Sequence, residues 1–148
     1  QKYHLKALSM GGTKTDHKYL RPNLLIPALR VYHENKDTPY PQNLFEIGTV
    51  IDEQGNERTH LLVTYSPGTI TQIQQALAYL SEQLKRSLTL TPHTVPLCIP
   101  GRSARITQGK TELGYAGELH PSTLKNAGLK MPLSIFELDI TEFLNQKA

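Results

Sequence analysis

Residues 3–8 (Tyr3-His4-Leu5-Lys6-Ala7-Leu8) alternate apolar and polar positions, the period of a half-buried strand. A Gly/Thr/Lys loop follows over residues 10–16, and then Leu24, Leu25, Ala28, Leu29 and Tyr32 recur at helical spacing. Pro22 suits an early helical position, whereas Pro27 lies inside the pattern and predicts a kink or a late helix start. Asp37-Thr38-Pro39-Tyr40-Pro41 ends the helix. Two β-rich runs, 44–51 and 60–65, flank Asp52-Glu53-Gln54-Gly55-Asn56 and predict an antiparallel hairpin.

Thr69 is placed to cap a helix carrying Ile73, Ala76, Leu77, Leu80 and Leu84 on one face. Residues 88–95 read as a strand that Pro92 confines to a sheet edge. Further strands are expected at 105–107 and 115–119, around the turn Gln108-Gly109-Lys110. A short helix at 121–126 stops at Gly128; a last strand at 133–140 and a short helix at 141–144 complete the pattern. Hairpin-length connections imply a largely antiparallel sheet with helices packed on it, an α+β fold forming a single domain over residues 1–148.

The chain is 38% hydrophobic and 20% charged, which suits a globular domain rather than a disordered tail. A net charge of +3 is compatible with RNA or an acidic partner and decides neither. The lone cysteine, Cys98, excludes an internal disulfide and a thiolate metal cage, and fits a reducing, cytosolic compartment. No apolar run approaches the ~20 residues of a membrane span. The start, Gln1-Lys2-Tyr3-His4, lacks a signal-peptide core and an initiator Met, as a processed or excised piece would.

Residue chemistry alone yields no recognisable active site. The histidines (His4, His17, His33, His60, His93, His120) lack the i, i+4 spacing of a helical zinc site, and no phosphate-binding Gly-rich motif is present. Ser103, His120 and Asp139 could be assembled into a triad only without the usual nucleophile elbow. Glu46 and Glu137, each beside an aromatic on a strand, form either a ligand pocket, an acid/base pair, solvated positions or partners for Arg102 and Arg105. Arg102, Arg105 and Lys110 form a compact basic cluster that offers phosphate contact or salt bridges.

Five blocks, in order across residues 20–140, resemble the C-terminal half of the β subunit of phenylalanyl-tRNA synthetase. They are Leu20-Arg21-Pro22-Asn23-Leu24-Leu25; Leu44-Phe45-Glu46-Ile47-Gly48 after a Pro-rich entry; Pro100-Gly101-Arg102-Ser103-Ala104; Gly114-Tyr115-Ala116-Gly117-Glu118-Leu119-His120-Pro121; and Phe136-Glu137-Leu138-Asp139. Ile26-Pro27 departs from the Pro-Gly of many members. The short stretch between Gly48 and Leu97 is closer to the archaeal and eukaryotic style of subunit.

The resemblance implies a class II synthetase-like antiparallel sheet flanked by helices, acting as a catalytic-like module without catalysis of its own. An active class II site grips ATP phosphates with arginines, whereas the matching strand here carries Glu46 and the segment 139–144 has neither Gly nor Arg. The domain itself is expected to hold no cofactor or metal, ATP and Mg being used by the whole enzyme. The implied partners are the catalytic α subunit and a second β subunit, with tRNA contact left open. Arg21, Leu24, Leu25, Leu29, Val31 and Tyr32 are the expected subunit-interface residues. Further motif positions are Phe45, Glu46, Gly48, Gly101, Arg102, Gly117, Glu118, His120, Pro121 and Glu137.

Overall fold

The structure, a computed structural model, describes residues 20–145. The strand expected at 3–8, the loop at 10–16, His4 and His17 lie outside the described residues. Helix α1 (Leu25–Glu34) starts late, as Pro27 predicts, with that proline in its first turn where a missing N–H costs nothing. Strands β1 (Gln42–Ile51) and β2 (Glu57–Ser66) form the expected antiparallel hairpin. Helix α2 (Ile70–Gln83) opens with Thr69 and Gln72 in a reciprocal capping box. It buries Ile73 and Leu77, but Leu84 lies past its end and is exposed.

The edge strand β3 (Thr89–Pro92) ends at Pro92, in keeping with the lost N–H donor. Strand β4 (Cys98–Gln108) is longer than its apolar pattern suggests, because residues before Ser103 join the sheet through a register shift. Gly101, at φ 78°, lies within that irregular stretch. β5 (Thr111–Leu119), α3 (Pro121–Asn126), β6 (Ser134–Asp139) and α4 (Thr141–Asn145) follow as expected, within a few residues. Gly128, at φ 70°, stops α3, and the Leu129 N–H bonds back to the Leu124 carbonyl at 2.8 Å.

The six strands run in the order β1-β2-β6-β5-β4-β3, every pair antiparallel. Strand β6, last in sequence, therefore sits near the sheet centre, and its Ser134–Leu138 stretch is buried on both faces. Alternation along it divides the core: Phe136 and Leu138 meet Ile73 and Leu77 of α2, while Ile135 joins Leu25 and Tyr32 of α1 and Leu124 of α3. Each fully buried Leu or Ile in these layers contributes about 1.5–3 kcal/mol.

Tyr32 locks α1 to the β1–β2 hairpin. Its hydroxyl donates to the Gln42 carbonyl at 3.1 Å and lies 2.7 Å from Thr64 Oγ1, and burial pushes its phenol pKa up. Tyr32→Phe is expected to cost about 1–2 kcal/mol, lowering Tm by roughly 3–8 °C with little change in far-UV circular dichroism. Burial also pushes the Cys98 thiol up to about 12, which leaves almost no thiolate at neutral pH. Alkylation at pH 8 should therefore be slow in the native protein and fast in denaturant, as intact mass would record.

Candidate functional site

A cleft of about 720 Å³ opens between the residues preceding α1, the β1–β2 turn, and strands β5 and β6. Its lining includes Asp52, Glu53, Glu112, Glu137, Asp139 and Glu142, against which stand Arg58 and His60. Glu137 is the deepest of these carboxylates, 2% exposed. Its Oε1 accepts from the Leu24 N–H at 2.8 Å and lies 2.8 Å from His60 Nδ1. Its Oε2 is buried with no hydrogen-bond partner among the described residues. Arg58 reaches Asp139 at 2.8 Å and lies 3.9 Å from Glu142. Burial pushes the Asp139 carboxyl up, but hydrogen bonds from Thr141 and Arg58 outweigh it and hold the pKa below the ordinary carboxylate value.

The motif blocks are mutual supports across strands. Arg21 lies over β1: its Nη1 meets Glu46 Oε1 at 2.6 Å and its Nε donates to the Thr49 carbonyl at 2.7 Å. Gly48 is what admits the guanidinium, since a Cβ there would collide with Arg21 Nη2. Glu118 accepts from the Ile70 N–H at the start of α2, favourable for an acid at a helix N-terminus, and pairs with Arg102 at 2.8 Å. A Cβ on Gly114 would strike the Glu137 carbonyl oxygen, and one on Gly117 would crowd Ser103 and Cys98. His120 caps α3, its Nδ1 accepting from the Ser122 N–H at 3.1 Å, and Pro121 opens that helix.

Several expected groupings come apart. Glu46 and Glu137 do share a sheet face through Leu62, but two strand spacings, roughly 10 Å, separate their backbones. Their partners are Arg21 and His60 rather than Arg102 and Arg105. Ser103, His120 and Asp139 are engaged elsewhere, with the His93 carbonyl, Ser122 and Arg58 respectively, so no triad forms. Arg102 is committed to Glu118, and Arg105 to His93 and Glu112, while Lys110 is exposed on the β4–β5 turn. Of the expected interface residues, Leu24, Leu25 and Tyr32 are buried against the chain's own sheet. Arg21 is tied to Glu46 and Leu29 is half-buried, so Val31 alone of that set stands exposed, together with Ile26. The apolar residues at and just before α1 serve two buried clusters, one through Leu25 and Tyr32 and another through Leu24 and Ala28. His60 and Arg58, which frame the cleft, were not singled out. The β2 alternation Arg58, His60, Leu62, Thr64 places them on one face and was the available signal.

Carboxylates dominate the wall of the cleft. Among the described residues no group of His, Cys, Asp or Glu has the arrangement of a metal site, and no helix is long and apolar enough to cross a membrane.

Comparison with known proteins matches residues 12–140 to the family described as phenylalanyl tRNA synthetase beta chain CLM domain. The phenylalanine--tRNA ligase beta subunit of Thermoplasma volcanium is 35% identical over 134 residues, covering 88% of this chain and 25% of the relative. That of Thermococcus kodakarensis is 34% identical, covering 78% of this chain and 22% of the relative. The chain thus spans about a quarter of the length of these curated relatives. In fold it is similar to pyrrolysyl-tRNA synthetase from Desulfitobacterium hafniense, with a TM-score of 0.75 at 20% identity, over 93% of this chain and 52% of that one. The antiparallel sheet is therefore of the class II synthetase kind, and the chain belongs to the phenylalanyl-tRNA synthetase beta chain CLM domain family.

Proposed function

We propose that this domain is a noncatalytic module of a cytoplasmic phenylalanine--tRNA ligase, supporting tRNA charging by packing against the catalytic α subunit. ATP and Mg are then used at the α subunit, with a second β subunit completing the assembly and tRNA in reach. The observation that carries the reading is an apolar surface on the edge strand β1, where Phe45 is 76% and Ile47 59% exposed. Both point to the α2 side of the sheet but beyond the helix. There Phe45, Val63, Tyr65, Ala76 and Tyr79 line an open groove of about 610 Å³. Side chains of this size on an edge strand invite association, and aromatic residues are enriched at protein interfaces. Ile26 and Val31 are separate exposed apolar positions on α1, across the sheet from this surface and about 140° apart around the helix.

The assembly reading is in keeping with the carboxylate-rich cleft, whose charge disfavours a phosphate chain. Mixing the chain with a matching α subunit should give a stable complex in size-exclusion chromatography with light scattering. That complex should carry phenylalanylation activity that neither partner shows alone. Phe45→Glu with Ile47→Glu should weaken association at least about tenfold while leaving Tm nearly unchanged, because exposed positions contribute little to folding. Association unaffected by these charges, and by Ile26→Glu with Val31→Glu, would sink the assignment of this surface.

A further inference from the structure

The acidic cleft carries chemistry that a purely structural role leaves unused. Its carboxylates are not equivalent. Asp52 is consumed by the hairpin turn, accepting from the Gln54 and Asn56 amides, and Asp139 by Arg58 and Thr141. Glu137 differs: one oxygen is fully engaged, while Oε2 is buried, unpartnered and part of a side chain that lines the cleft. A buried carboxylate oxygen without a donor is costly, and a cationic N–H is the donor that recovers most. The rim reinforces the sign, since Glu53 and Glu142 are exposed there and Arg58 is already shared between two acids. Val50, Leu97 and Leu113 supply apolar wall beside these charges.

We propose that the cleft binds a ligand bearing an ammonium or guanidinium group, seated at Glu137 with its aliphatic stem along Val50, Leu97 and Leu113. The cation belongs either to a free amine or to a lysine or arginine side chain of a partner; the recognising chemistry is the same. A divalent metal fits less well, because hard dications need several converging oxygens and the neighbouring carboxylates are bonded elsewhere. Oε2 presents less than 1 Å² to solvent, so an incoming donor must displace part of the floor. Binding is thereby coupled to the two groups on Oε1, the Leu24 amide and the His60 ring.

The test is an NMR titration of the full chain, isotopically labelled, with butylamine and agmatine as free cations. Blocked Gly-Lys-Gly and Gly-Arg-Gly peptides serve as side-chain mimics and butanol as the uncharged control. The expected result is saturable movement of the Leu24 amide and His60 ring signals with a cation, none with butanol, and about tenfold weaker binding in Glu137→Gln. Tighter binding of the free amines identifies a small-molecule site; tighter binding of the peptides identifies a docking point for a basic side chain. No saturation by any cation up to about 50 mM, an affinity too weak for use, overturns the proposal. So does equal affinity in Glu137→Gln, which would reduce the effect to loose attraction by the rim. Should that variant fail to fold, Glu53→Gln with Glu142→Gln at the exposed rim takes its place. There saturable movement of the Leu24 and His60 signals, with affinity changed no more than about threefold, supports the site, whereas loss of saturation, as loose attraction by the rim requires, refutes it.

Discussion

The buried carboxylate of Glu137 is the constraint on which the rest of the site depends. It sits on β6 near the sheet centre, where taking a charge out of water is expensive unless hydrogen bonds replace the lost hydration. The replacement comes from two directions. The Leu24 N–H, at the N-terminal edge of α1, fixes where that helix begins, and His60 on β2 fixes the wall beside it. One side chain thus ties the helix start, the hairpin and the central strand, and its position sets the depth of the cleft.

The other motif residues support this arrangement from outside. Arg21 crosses β1 over Gly48 to reach Glu46, and its carbonyl accepts from the Ile51 N–H, so the chain before α1 is held to the sheet edge. Glu118 performs the equivalent task on the opposite face, joining β5 to the start of α2 and to Arg102. A family signature that looks like a list of functional residues is largely a set of reciprocal supports.

Local signals in the sequence are legible where one element explains them. The β1–β2 hairpin follows from its turn residues, α2 from its Thr69 cap and apolar stripe, and the end of α3 from Gly128. What depended on contacts between distant segments was not readable. Nothing local announces that Arg21 answers Glu46, or that Arg102 answers Glu118. The excess of apolar residues on α1 suggested a face for a partner. Leu24 and Ala28 instead pack with Val50 and Leu62, while Leu25 and Tyr32 pack under β6 and β5, so one helix fills two clusters. The irregular start of β4 was missed for a related reason. Pro100 and Gly101 argue for a loop, and only pairing with β5 draws that stretch into the sheet.

The position of β6 has a consequence for how the molecule is made. The β1–β2 and β4–β5 hairpins join residues close in sequence and can form as soon as each has been synthesised. They do not touch each other in the sheet; each pairs with one side of a strand that follows both in the chain. Until residues 134–139 arrive, two half-sheets wait with their inner edges unpaired and the apolar faces of both layers incompletely covered. Pairing with β5 is comparatively local, but closure onto β2 joins His60 to Asp139 and is of high contact order, a step that is slow relative to hairpin formation and open to chaperone capture or aggregation.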